Sequence, residues 1–447
     1  MTETNVAPVT KSGKVVRARW SIMLSLMFLT MFNYFDRINI AFVAPIFHKT
    51  YGISSVDLGW IFAAWALGFF LFAIPTSKLA DVKGPKTTLS IFATMWGLAC
   101  IGLGFIANTV YLFMMRLFLG VGESPAFPIT TKYAGQWFKE GSRGVPIGVN
   151  GFGLGLGLIV GPLFAIYLLK SFGWPWVFFG TGLVTLLWVV VLRVILSNSP
   201  SRHRGMSSKD VSALDAEVGK GHSKNADSGE VLKIRSFLSY PSTWGIIFGV
   251  FGIIYVQFFF LNWLPSYLVT VRHFTVIKSI FYTIIPGIGA AIGALLGGFL
   301  TDGLARVTKD HKTIARKIPF FSLALLIALL QIPALSSPSP LVAVAVVAVI
   351  NFMIQWGLVI IHTISIRIAG NRSAASFDSF VQVVFGMAAF ASGFFTGYLI
   401  HYSGYNGAAG ISTIIGIITA LAFVVLYRDI RLAKTAAEEP PKTVTFA

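Results

Sequence analysis

Apolar stretches of about 20 residues recur along almost the whole chain, and each is long enough to cross a lipid bilayer as an α-helix. The chain has 447 residues, of which 55% are hydrophobic and only 12% are charged, whereas a soluble domain of this length needs a far more charged surface. We therefore predict an all-α membrane protein with about twelve transmembrane helices. The predicted spans are residues 20–46, 57–79, 87–108, 110–130, 143–169, 174–196, 243–269, 279–304, 314–335, 341–366, 374–401 and 407–427.

A long polar stretch, residues 197–240, divides these spans into two groups of six. It is rich in Ser, Gly and basic residues, which is typical of a flexible linker, and a short amphipathic helix is expected around residues 210–218. Asp81 after the second span and Asp302 at the end of the eighth occupy equivalent places, as internal repeats would. The predicted organisation is an N-terminal tail at 1–19, six-helix bundles at 20–196 and 241–428, a cytoplasmic linker at 197–240 and a C-terminal tail at 429–447.

The basic side chains predict the orientation of the spans. The formal net charge is +18, and cytoplasmic loops of membrane proteins carry an excess of Lys and Arg. With both termini in the cytoplasm, most of the 35 Lys and Arg fall on that side. Because this charge is spread over short loops, we do not expect nucleic-acid binding. The residues before the first span are polar and basic, and that span is too long for a secretory signal peptide. We predict a multi-pass protein of a bacterial inner membrane.

Ionisable side chains stand out inside two predicted spans, Asp36 and Arg37 in the first and Arg116 and Glu123 in the fourth. Such residues usually face a partner or a water-filled cavity. Neighbours on a helix point about 100° apart, so Asp36 and Arg37 cannot pair well with each other, and pairing between the two spans is expected. Arg binds carboxylates bidentately, and a buried carboxyl can take up or release a proton. We predict Asp36 and Glu123 as proton-binding groups, Arg37 as the anion-binding group and Arg116 as an ion-pair partner; a static buried ion network is the alternative.

Neutral polar side chains in the second bundle are further candidates for a binding cavity. Asn351 and Gln382 are the strongest, although hydrogen bonding between helices is the alternative for each. The sequence contains no glycine-rich ATP loop, no cluster with metal-ligand spacing and no nucleophile motif. We therefore expect neither enzyme activity nor a metal or cofactor, with the proton as the coupling ion.

Several stretches of the chain resemble those of a known family. They are residues 34–39 in the first span, 116–123 in the fourth, 262–268 in the seventh and 315–319 before the ninth. Over nearly its full length the chain resembles the major facilitator superfamily, and within it the anion:cation symporters. That group includes bacterial sugar-acid and aromatic-acid permeases and the vesicular glutamate and sialic acid transporters.

The resemblance implies a fold of two pseudo-symmetric six-helix bundles around a central cavity, which works by alternating access. It implies proton-coupled uptake of an organic anion, in which the acids matching Asp36 and Glu123 take up protons and the arginine matching Arg37 contacts the substrate carboxylate. Tyr34 and Asn39 belong to the same motif and are candidate substrate contacts.

The chain departs from the family pattern in two places. Asp81 is followed by Val rather than the usual Arg, so the gating contacts expected of Asp81 and Asp302 differ from those of the family. Phe69 and Leu154 stand where galactonate-type permeases carry Tyr and Gln, which favours a less polar acid. We predict a monomeric, proton-coupled symporter of an organic carboxylate such as an aromatic acid, a dicarboxylate or a sugar acid. An anion uniporter or exchanger without proton coupling is the first alternative; a membrane-bound enzyme or sensor and a channel are less favoured.

Overall fold

The computed structural model describes residues 13–139, 144–218, 238–307 and 314–428, which are almost entirely helical and contain no strand. A 3₁₀ turn lies at Pro200–Arg202. The α-helices in chain order are α1 (Gly13–Tyr51), α2 (Ser55–Val82), α3 (Pro85–Gly102), α4 (Thr109–Glu123), α5 (Ala126–Trp137), α6 (Gly144–Phe172), α7 (Trp174–Ile195), α8 (Ser208–Val218), α9 (Pro241–Thr270), α10 (Val276–Tyr282), α11 (Ile284–Val307), α12 (Ile314–Ser336) and α13 (Pro340–Leu426). We call α1–α7 the first half and α9–α13 the second half.

Within the described residues, nine helical segments are long and apolar enough to cross a membrane. The last three predicted spans all fall in α13, whose 87 residues would form a straight helix about 130 Å long. Yet the ring of Phe320 in α12 packs 4.4 Å from that of Phe423, and a Cβ at Gly357 would lie 3.5 Å from the same ring. The chain therefore folds back within α13, and Gly404 has a left-handed φ of 67° in this region. The predicted all-helical membrane fold is confirmed.

The fourth predicted span is two helices rather than one. Helix α4 ends at Glu123 and α5 begins at Ala126. Pro125 has no N–H to donate to the carbonyl of Val121, and the Ser124 hydroxyl donates to that carbonyl instead at 2.8 Å. The break places Glu123 at the last turn of α4, in the middle of the protein.

Glycines bring α2 and α4 into backbone contact beside Glu123. A Cβ added at Gly120 would overlap the backbone oxygen of Trp65, and one added at Gly68 would overlap that of Leu117. Small residues at such positions allow membrane helices to approach closely. Trp65 of α2 is therefore held directly against the helix that carries Glu123.

The two halves contact each other along two seams. Helix α2 meets α13 where a Cβ at Gly59 would lie 2.8 Å from the oxygen of Gly393, and α6 meets α11 where a Cβ at Gly287 would lie 2.6 Å from the oxygen of Leu158. The α2 contact lies near the end of the bundle where α1 ends and α2 begins, which we call the α1–α2 end. Near the opposite end, a Cβ at Gly148 would meet nothing within 4 Å.

Part of the predicted linker is ordered against the first half. Helix α8 confirms the short helix expected there, and Leu214 buries its side chain against the first half. Glu217 pairs with Arg19 of α1 at 3.0 Å. The part of the linker from residue 219 to 237 lies outside the described residues.

Gly120→Ala is expected to destabilise the protein, because the added methyl group would overlap a backbone atom that cannot move without shifting α2. Overpacking of this kind costs about 1–3 kcal/mol, so the apparent Tm in detergent, followed by tryptophan fluorescence, should fall by several degrees. Gly135→Ala in α5 is the matched control, because a Cβ there would meet nothing within 4 Å; its Tm should be unchanged or slightly higher. Equal losses in both variants would contradict this packing.

Candidate functional site

A buried ion pair joins α1 to α4. Arg37 Nη2 lies 3.0 Å from Glu123 Oε2, and the two side chains are only 2% and 0% exposed. The same nitrogen donates to Asn33 Oδ1, one turn earlier on α1, at 2.8 Å. The predicted pairing between the first and fourth spans is confirmed, with Arg37 as the partner of Glu123.

Aromatic side chains enclose this ion pair. Arg37 Cζ lies 4.4 Å from the ring centroid of Tyr34 and 4.1 Å from that of Trp65, which is within the range of a cation–π interaction. The indole N–H of Trp65 also donates to Glu123 Oε2 at 2.9 Å. Tyr34 and Trp65 therefore shield the guanidinium from water and hold it beside the carboxylate.

The ion pair keeps unused hydrogen-bonding capacity. Within the described part of the chain, Glu123 Oε1, Arg37 Nε and Asn33 Nδ2 are buried and have no hydrogen-bond partner. Such an atom costs about 1–3 kcal/mol if it stays without a partner, so these three atoms are available to bind a ligand or ion. The arrangement offers N–H donors to an anion and a carboxylate oxygen to a proton.

Asp36 belongs to a different cluster, between α1, α3 and α7. Trp96 Nε1 and Thr185 Oγ1 donate to its Oδ2 at 2.9 and 2.8 Å, and Cys100 Sγ donates to its Oδ1 at 3.1 Å. The side chain is fully buried. The expected divergence of Asp36 and Arg37 around the helix is confirmed, and in this conformation other side chains satisfy Asp36.

Asn39 and Arg116 support the polypeptide around Asp36. Asn39 Nδ2 donates to Thr181 Oγ1 at 3.1 Å, which places Asn39 in the Asp36 cluster and not beside Arg37. Arg116 Nη1 donates to the backbone oxygens of Asp36 and Arg37 at 3.5 and 3.3 Å. It binds these carbonyls instead of the expected carboxylate, because Arg37 already occupies Glu123.

The two candidates in the second half lie on α13. Asn351 lines a mainly apolar cavity between the halves, together with Ile38 and Leu158 of the first half. Its Nδ2 donates to the oxygen of Val347 in its own helix at 3.0 Å, so it is satisfied locally. Gln382 is half-buried. Neither takes part in the described contacts of Arg37.

The gating candidates have different outcomes. Asp81 Oδ1 pairs with Lys132 Nζ of α5 at 2.7 Å, and Lys132 also donates to the oxygen of Ala80 at 2.9 Å. This contact lies within the first half and does not bridge the halves. Asp302 lies on α11, but its side chain is outside the described residues.

Sequence reasoning did not select several residues that complete these clusters. They are Asn33, Trp65, Trp96, Cys100, Thr181 and Thr185. Asn33 could have been found, because it lies one helical turn before Arg37 on the same face. The others come from the second, third and sixth spans, and only tertiary packing selects them among many similar residues. Among the described residues, no group of three or more His, Cys, Asp or Glu could hold a metal ion.

Comparisons with known proteins point to one family. The sequence model described as Major Facilitator Superfamily matches residues 26–377. The chain is 25% identical over 389 residues to a probable sulfoacetate transporter of Cupriavidus necator, covering 87% of this chain and 89% of that protein. It is 25% identical over 435 residues to a D-galactonate transporter of Escherichia coli, covering 94% and 98%. It is 26% identical over 428 residues to a hexuronate transporter of Bacillus subtilis, covering 94% and 97%.

A solved structure has the same fold. It is a bacterial homologue of the human lysosomal transporter Spinster in an inward-facing, unoccupied conformation, with a TM-score of 0.71 and 19% sequence identity. The match covers 94% of this chain and 97% of that chain.

Glu123→Leu is expected to destabilise the protein strongly, because it leaves the charge of Arg37 buried without a partner. Removing one member of a buried ion pair costs about 3–5 kcal/mol, whereas replacing both members by apolar residues is often neutral. The double variant Arg37→Met with Glu123→Leu should therefore recover much of the lost Tm in thermal unfolding. A double variant no more stable than the single one would contradict this ion pair.

Proposed function

The chain belongs to the major facilitator superfamily of membrane transporters, and from that premise we propose that it carries an organic carboxylate inward together with protons. Arg37 binds the substrate carboxylate and Glu123 binds a coupling proton. The observation that carries the proposal is the buried Arg37–Glu123 pair, with free polar atoms on both partners.

Charge balance supplies the physical basis of coupling. In the substrate-free pair, Glu123 neutralises Arg37. A substrate carboxylate at Arg37 adds a second negative charge, which a buried site tolerates poorly. Protonation of Glu123 removes that charge and frees the N–H groups of Arg37 at the same time. The loaded site then contains the positive Arg37, the negative substrate carboxylate and a neutral Glu123, so its net charge is the same as that of the substrate-free pair.

The names of the relatives support an anionic substrate. Sulfoacetate, galactonate and hexuronates are all small organic anions, and each needs a cationic partner such as an arginine. Tyr34 and Asn33 lie against Arg37 and complete the proposed carboxylate site. Asn351 and Gln382 of α13 are proposed to contact the rest of the substrate after the halves rearrange, and Asn39 to support α1.

Asp36 is proposed as a second proton-binding group. Its donors come from α3 and α7, so proton exchange there requires those helices to move relative to α1. Arg116 holds the carbonyls of both Asp36 and Arg37. Because these carbonyls are adjacent and share one donor, a backbone movement at Asp36 would also displace Arg37.

Alternating access is the proposed cycle, with the bundles 20–196 and 241–428 as the moving units. In this structure the halves meet at the α1–α2 end, which the positive-inside pattern places outside the cytoplasm. Asp81 and Asp302 are proposed as gating residues at the cytoplasmic end. The proposal further places the protein in a bacterial inner membrane as a monomer, with both termini in the cytoplasm and no cofactor.

An anion exchanger or uniporter without proton coupling is the second candidate. The complete burial of Asp36 by hydrogen-bond donors favours it, because a satisfied carboxylate has no need of a proton. Symport acidifies the lumen of a vesicle as substrate enters, whereas exchange does not.

Uptake into proteoliposomes tests the proposed function. The panel consists of sugar acids, aromatic acids, dicarboxylates and sulfoacetate, each with and without an inward proton gradient. Symport predicts that at least one of these anions accumulates above its external concentration only when the gradient is present. Uptake that never responds to the gradient would support the exchanger, and absence of uptake of every organic anion would overturn both.

Glu123→Gln is expected to abolish gradient-driven accumulation while substrate exchange continues, because Gln takes up no proton and leaves Arg37 free. Glu217→Gln is the matched control: Glu217 also pairs with an arginine, Arg19, at 3.0 Å, but it lies in the linker helix α8. The control should accumulate substrate like the wild type. Accumulation by Glu123→Gln at the wild-type level would show that Glu123 is not the coupling site.

A further inference from the structure

We propose that Trp65 is a positioning residue that joins the Arg37–Glu123 pair to the interface between the two halves. The inference rests on the proposed transport function, because only alternating access requires the state of the pair to control the separation of the halves. Trp65 lies on α2, is almost fully buried, and contacts both members of the pair.

Two different parts of the Trp65 side chain contact the ion pair. Its indole N–H donates to Glu123 Oε2 at 2.9 Å, which is the oxygen that also accepts from Arg37. The face of its ring lies 4.1 Å from Arg37 Cζ. The hydrogen bond to Glu123 holds the N–H edge of the indole, and the Arg37 guanidinium packs against the face of the ring. The intact ion pair therefore determines the orientation of the ring.

The same ring contacts the second half of the chain. It stacks on Phe258 of α9 with a centroid distance of 5.6 Å and an interplanar angle of 18°. Phe258 in turn packs edge-on against Phe385 of α13 at 5.6 Å and 83°. A continuous row of contacts therefore leads from Glu123 through one indole to two helices of the second half.

The backbone of Trp65 cannot adjust independently of Glu123. A Cβ at Gly120, one turn before Glu123, would overlap the Trp65 carbonyl oxygen, so α2 and α4 are already in contact there. A change in the ion pair must consequently act on the indole side chain. Parallel stacking depends on ring orientation, and the stack on Phe258 is therefore the contact that responds.

These contacts define a coupling step. While the pair is intact, Trp65 is held flat against Phe258 and the halves stay together at the α1–α2 end. When Glu123 is protonated in the substrate-free protein, its hydrogen bond to the indole weakens, and the ring is no longer held in that orientation. The stack on Phe258 then loosens, and the halves separate at that end.

A second aromatic contact between the same two helices supplies the control. Phe62 of α2 packs edge-on against Trp263 of α9 at 5.1 Å and 89°. It lies one turn from Trp65, and neither ring is among the described contacts of Arg37 or Glu123. Removing the Phe62 ring weakens the interface between α2 and α9, but the contact that is lost does not involve Arg37, Glu123 or Trp65.

The test measures the distance between the halves with two spin labels, in purified substrate-free protein. Cysteines replace Thr50 and Tyr402, both exposed residues at the α1–α2 end, while the native Cys100 is fully buried. The variants are Glu123→Gln, Phe258→Ala, their combination, Phe62→Ala, and Phe62→Ala combined with Glu123→Gln. Gel filtration checks folding, and Phe258→Leu replaces Phe258→Ala if the latter is not monodisperse.

We expect Glu123→Gln and Phe258→Ala each to raise the ratio of wide to narrow distances at least threefold. Because both substitutions act through Trp65, the ratio in the double variant should be less than twice the larger of the two single-variant ratios. The effects of Phe62→Ala and Glu123→Gln should multiply, as they do for independent sites. The inference would be overturned if the effects of Phe258→Ala and Glu123→Gln on this ratio also multiplied. It would be overturned as well if Glu123→Gln left the distances unchanged. No substrate is needed, so failed anion uptake in vesicles would overturn the proposed function separately.

Discussion

The buried ion pair between Arg37 and Glu123 is the interaction on which the proposed function depends. Both side chains are buried where α4 packs against α1 and α2, two helices that are long and apolar enough to cross a membrane, and an unpaired charge there is costly. Buried ion pairs seldom stabilise a protein more than apolar residues of the same volume would. A pair that adds little stability and keeps an unsatisfied carboxylate oxygen is therefore best explained by a cycle in which its members part.

Helix α1 directs two ionisable side chains that are adjacent in the sequence, Asp36 and Arg37, into different clusters. Because Asp36 and Arg37 are adjacent, they point in different directions around the helix. Arg37 meets α2 and α4, whereas Asp36 meets α3 and α7. In the proposed function Glu123 takes up a proton when an anion binds to Arg37, whereas Asp36 is already satisfied by hydrogen-bond donors. The two acids differ in environment, so they are expected to differ in their contribution to coupling.

The sequence was sufficient for the fold class because membrane spans are determined by length and apolar composition, both of which can be counted. It was also sufficient to select Arg37 and Glu123, because charges inside apolar spans are rare. It did not reveal that Arg116 binds backbone carbonyls, because only the packing of the helices determines which of the two arginines lies beside Glu123. It did not reveal Trp65, because that side chain is one of 11 tryptophans and acquires its role from helix packing at Gly120. The break at Pro125 was visible as a proline, yet its effect on the position of Glu123 was not.

Proton uptake on anion binding tests the central claim most directly. Titration calorimetry of the purified protein, with a transported anion and in two buffers of different ionisation enthalpy, gives the number of protons taken up per anion bound. Because anion binding at Arg37 is proposed to protonate Glu123, the wild type should take up about one proton more per anion than the Glu123→Gln variant. Anion binding without proton uptake in the wild type, under conditions where Glu123 starts ionised, would contradict the account.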